Sequence, residues 1–71
     1  MQEEQRDMAI RRFLKEVGIT SHRALTDALA KAERSGNLSE GEPVRLTMTL
    51  TAPELGLEHT VTGELDLNNP E

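Results

Sequence analysis

The sequence predicts an α+β fold, with two N-terminal helices packed on one face of a C-terminal antiparallel β-hairpin in the order α-α-β-β. Apolar residues recur at steps of three and four through the first half of the chain, the period of an amphipathic helix. The stretch "VRLTMTLTAPELGLEHTVTGELDL", residues 44–67, instead alternates apolar and polar side chains almost without a break, the period of a strand. Between and after the helical segments, "VGITS" and "RSGN" place a glycine where helices commonly end. All 71 residues are expected to form a single domain.

The first helix is expected over about residues 3–17. Ala9, Ile10, Phe13, Leu14 and Val17 fall on one stripe, with Met8 at its margin. Lys15 suits the negative C-terminal end of the helix dipole, and Gly18 can supply the left-handed residue that closes the helix. Thr20 or Ser21 can then cap a second helix over about residues 21–35, with Ile19 placed as a hydrophobic staple. Leu25, Ala28, Leu29 and Ala32 form its apolar side. Gly36 is placed to end it, and Leu38 to fold back on the last turn.

A polar connector, "SEGEP", leads into strands expected at about 44–52 and 57–67. "PELG" suits a four-residue loop, since proline fixes a helical φ and glycine accepts a positive one. Opposed residues of an antiparallel pair share a face, so the apolar rows must oppose each other. Pairing Ala52 with Leu57 sets Leu50 opposite His59, Met48 opposite Val61 and Val44 opposite Leu65. On the other face Thr49 meets Thr60, Thr47 meets Thr62 and Arg45 meets Glu64. Sliding by two residues keeps the faces but loses the Arg45–Glu64 charge pair, so the first register is expected. Gly63 then marks a bulge or a place where a helix approaches closely, and in this register it opposes Leu46, which could fill the space it leaves. His59 lies in the apolar row and is expected as a partly buried ring at the edge of the core.

A chain this short has a marginal core, and it holds no cysteine to staple it. Phe13 is its one aromatic residue. Tight packing or self-association remains as a source of stability. No apolar run approaches the roughly 20 residues that span a bilayer, and the N-terminal stretch is polar, so a cytoplasmic protein with no membrane partner is expected. The net charge of −5 is unevenly spread. Residues 1–36 carry seven basic and six acidic side chains, whereas residues 37–71 carry Arg45 alone against seven acids.

Signatures of catalysis are missing: the sequence has no Walker loop, no G-x-G-x-x-G, no G-x-S-x-G, no H-E-x-x-H and no thiol. Glu58 and His59 are adjacent on a strand and point to opposite faces. No enzyme activity, no catalytic residue, no metal and no cofactor is expected. The candidate partner-binding residues are the polar hairpin face: Arg45, Thr47, Thr49, Thr51, Glu58, Thr60, Thr62 and Glu64. A two-stranded sheet also leaves two unpaired edges, so a homodimer by sheet extension, or an unknown protein partner, is expected there. A second candidate surface is the basic patch of Arg11, Arg12, Lys15 and Arg23. With a helix-turn-helix-like pair it would suit a regulatory nucleic-acid-associated protein. Asp27, Glu33 and the acidic hairpin oppose phosphate, and nucleic acid is the less expected partner.

The segments "IRRFLKEVGITSHRAL" and "LTMTLTAPELGLEHTVTGELDL" carry F-L-K-x-V-G, G-L-x-H and G-E-L motifs. In these the chain resembles a small family of bacterial proteins classed only as a domain of unknown function. The resemblance implies a bacterial, cytoplasmic protein and brings no activity, cofactor or site residue. The residues themselves point to a small non-enzymatic domain that binds protein, most simply itself, through its hairpin edge.

Overall fold

The structure, a computed structural model, describes residues 2–38 and 41–67. It contains one helix, α1 (Glu3–Ser35), followed by strand β1 (Val44–Ala52), a single 3-10 turn (Pro53–Leu55) and strand β2 (Leu57–Leu65). The chain divides into two units, Met1–Leu38 and Ser39–Glu71. Residues 39 and 40 of the expected connector lie outside the described residues.

The expected pair of helices is overturned: α1 runs without interruption through Gly18, so the order is α-β-β and not α-α-β-β. Gly18 is not among the glycines with positive φ. The energetic reason is a matter of scale. A break would strip up to four carbonyls and four N–H groups of intrahelical partners, whereas glycine inside a helix costs only about 1 kcal/mol relative to alanine. Thr20, expected as a cap, behaves as a helix-interior threonine. Its hydroxyl donates back to the carbonyl of Glu16 at 3.0 Å, with the Val17 carbonyl at 3.4 Å. Thr26 does the same toward His22, and Ser35 toward Lys31. Ile19 is no staple, and stands 56% exposed on the helix surface.

The true ends of α1 are well defined. At the start the Gln2 backbone N–H donates to the Gln5 Oε1, and Glu3 and Glu4 place negative charge in the first turn, where the dipole favours it. At the end Gly36 adopts φ 74°, its N–H donating to Glu33 and the N–H of Asn37 to Ala32. That is the glycine-terminated pattern expected from "RSGN". Leu38 is half-buried just beyond it.

The hairpin forms in the expected register, with Val44 opposite Leu65, Arg45 opposite Glu64 and Ala52 opposite Leu57. Gly56 takes φ 63° and its N–H donates to Pro53, which closes the loop. Thr49 and Thr60 bring their hydroxyl oxygens within 3.3 Å across the strands. Two expectations fail locally. Pairing runs through Gly63 with no bulge, and nothing lies within 4 Å of where its side chain would be, so Leu46 does not fill the gap. His59 is exposed rather than partly buried.

No described residue of either unit is buried. The apolar row of the hairpin is at best half-buried, at Val44, Leu46, Leu50, Ala52 and Leu65, and Val61 is 55% exposed. The helix has the same character, with Val17, Leu25 and Leu29 half-buried and Ile10, Phe13 and Leu14 open to solvent. The helix and the paired strands have regular backbone hydrogen bonding, while none of the described apolar side chains is fully covered. No helix of the described residues is long and apolar enough to cross a membrane.

Candidate functional site

Two surfaces carry the candidate residues. On the helix, Arg11, Arg12 and Lys15 gather around Met8 in one open patch. Further along, the missing side chain of Gly18 leaves a shallow depression rimmed by Leu14, Lys15, Ile19, His22 and Arg23. Lys15 thus belongs to both, and Arg23 joins the basic group only through it. Arg11 pairs with Asp7 one turn earlier, its Nε 3.0 Å from the Asp7 Oδ2, with both side chains largely exposed. Such a pair contributes little to stability in water, but it does neutralise one of the four cations.

The nucleic-acid alternative depended on a helix-turn-helix-like pair. A single helix removes the turn that would set a recognition helix at an angle to its support. The remaining basic residues form a solvated stripe on a helix that also carries Asp7, Glu16, Asp27 and Glu33.

On the hairpin, register places Arg45, Thr47, Thr49 and Thr51 of β1 beside Glu64, Thr62, Thr60 and Glu58 of β2. All eight are exposed. Threonines occupy the middle, and charges stand at both ends. The sheet has two strands, so among the described residues each strand has one edge without a neighbour. Among the described residues there is also no cluster of three or more His, Cys, Asp or Glu side chains able to hold a metal ion.

The profile of one protein family matches residues 1–68. The chain belongs to a family of unknown function, DUF6494. No curated protein and no solved structure shows a match. The family accounts for nearly the whole chain, helix and hairpin alike, and assigns no role to any residue.

The residues that sequence reasoning undervalued are Gly18, Ser21 and Ala24. Each lies in the interior of α1, where they continue the apolar stripe from Val17 to Leu25. The signal was in the spacing: Val17, Ser21 and Leu25 follow at steps of four, so the stripe never changes phase across the supposed turn.

Proposed function

We propose that this protein is a non-enzymatic interaction module, a chain that completes its hydrophobic core by joining another polypeptide. The observation that carries this reading is the lack of any buried side chain among the described residues. A large apolar side chain contributes about 1.5–3 kcal/mol when fully buried, and isolated helices and hairpins are marginal in water without that contribution. Ile10, Phe13, Leu14, Met48, Leu57 and Val61 all have surface still to lose.

The hairpin supplies one docking route. An exposed strand edge can accept a further strand through backbone hydrogen bonds, with the threonine face setting selectivity. Sheet extension between two copies would bring two hairpins of like charge together, since residues 44–65 carry Glu54, Glu58 and Glu64 against Arg45. The edge therefore fits a partner strand of neutral or basic character better than its own copy. The resemblance to bacterial proteins implies a cytoplasmic setting, and that is the compartment we propose.

Sedimentation equilibrium combined with thermal melts over a concentration series tests the reading. An assembly whose melting temperature rises with concentration supports it, as does a monomer that melts without cooperativity. A monomer with a cooperative, concentration-independent melt would overturn it.

A further inference from the structure

We infer that the apolar stripe of α1 is a self-complementary surface on which a second copy of this chain docks antiparallel, about a twofold axis passing near Ser21. The inference rests on the reading that another polypeptide completes the core, and it names that polypeptide and the surface. The stripe runs through Ile10, Leu14, Val17, Ser21, Leu25, Ala28 and Ala32, in steps of four, three, four, four, three and four. Its repeat is eleven residues, from Ile10 to Ser21 to Ala32, which keeps a helical stripe nearly straight over this length. It spans about 33 Å of the helix, and its margins meet charge only at Arg11 and Lys31.

A twofold interface requires that if one residue contacts another, the second contacts the first in return. This spacing satisfies that requirement because it reads the same in both directions from Ser21. Reversing one helix about that point sets Ile10 against Ala32, Leu14 against Ala28, Val17 against Leu25 and Ser21 against itself. The first two matches set a large side chain against a small one, so the helices can keep a constant separation along the contact. A parallel pair would instead oppose Ile10 to Ile10 and Ala32 to Ala32, wide at one end and narrow at the other.

Area and charge point the same way. Ile10 is 56%, Phe13 52% and Leu14 51% exposed, while Val17, Ser21, Leu25 and Ala32 are half-buried and Ala24 and Ala28 are exposed. Covering Ile10, Phe13 and Leu14 would remove the largest apolar areas of the stripe from water, and by symmetry would do so on both copies. The helix carries seven basic and six acidic side chains, so two copies meet without net repulsion. The reversal also brings the Arg11 side of one helix toward Glu33 of the other, and the Lys31 stem toward the Phe13 ring. Each favourable meeting occurs twice by symmetry. Antiparallel packing also opposes the two helix dipoles favourably.

The chain has no cysteine, so single thiols can be placed without background. Oxidative cross-linking of full-length Ser21→Cys should give a covalent dimer. Ile10→Cys alone should give none, and an equal mixture of Ile10→Cys and Ala32→Cys should cross-link to each other. Ala28→Glu, which retains a good helix former, should weaken self-association by roughly 100-fold, because it places an unpaired charge in the contact. Cross-linking of Ile10→Cys to itself would overturn the antiparallel arrangement. Association that persists with no cross-link at any of these positions would overturn the helix interface but leave the interaction reading standing. A monomeric wild type also overturns the inference, and its melt then decides the broader reading: without cooperativity that reading survives, and with cooperativity both fail.

Discussion

The helix and the hairpin solve the same problem in opposite ways. α1 satisfies its backbone internally, carries almost balanced charge, and leaves a continuous apolar stripe along one side. The hairpin satisfies only the backbone groups between its two strands, carries three acids against Arg45, and leaves two edges as well as an apolar face. A neutral surface with a symmetric pattern is suited to meeting its own copy. On the reading proposed above, an acidic sheet with open edges suits a partner other than its own copy. The comparison separates two kinds of association that composition alone would merge.

The largest expected effect comes from interrupting the helix. Ile19→Pro should cost about 3 kcal/mol, since proline in a helix interior removes a hydrogen bond and clashes with the preceding turn. Ile19 is exposed, so little packing is lost with it. Circular dichroism should show a large drop in helical signal. Were the chain to turn at Gly18, a proline just beyond the helix end would be well tolerated. An unchanged spectrum would therefore restore the two-helix arrangement.

Two glycine substitutions test the same contrast with opposite signs. Gly56 sits at φ 63° in the hairpin loop, so Gly56→Ala should destabilise the hairpin by about 1–2 kcal/mol. Gly18 lies inside the helix and has open space where a side chain would go. Gly18→Ala should therefore stabilise by about 1 kcal/mol. Thermal midpoints at one fixed protein concentration check both. A loss of stability at Gly18→Ala would indicate that this glycine is needed for the backbone or for a contact.

These glycines also show what was legible in the sequence. The hairpin was over-determined: alternation fixed its faces, Pro53 and Gly56 fixed its loop, and the Arg45–Glu64 match fixed its register. Each constraint acts over a few residues and all of them agree. In the helix, Gly18 with Thr20 and Ser21 imitates a stop followed by a start, and each residue alone favours that reading. What overrides them is cumulative, the run of backbone hydrogen bonds and a stripe whose phase is kept by Ser21. Of the candidate surfaces, the threonine face was readable because it follows from register. His59 was misread because the apolar row was assumed to be covered, and in this structure the imidazole is exposed.

The smallest expected effect addresses register directly. Arg45 and Glu64 stand opposite each other on the exposed face, where a cross-strand pair is worth about 0.2–1 kcal/mol. Arg45→Glu should raise amide exchange in both strands slightly, by placing like charges opposite. Glu64→Arg alone should do the same. Combined, the two changes restore opposite charges in swapped positions and should recover most of the protection, a coupling that a double-mutant cycle isolates. In a register slipped by two residues Arg45 would face Thr62, and the two changes would simply add. Additivity would mean that alternation and loop set the pairing without help from charge, whereas coupling would show that the single base in the acidic half helps to hold the hairpin in register.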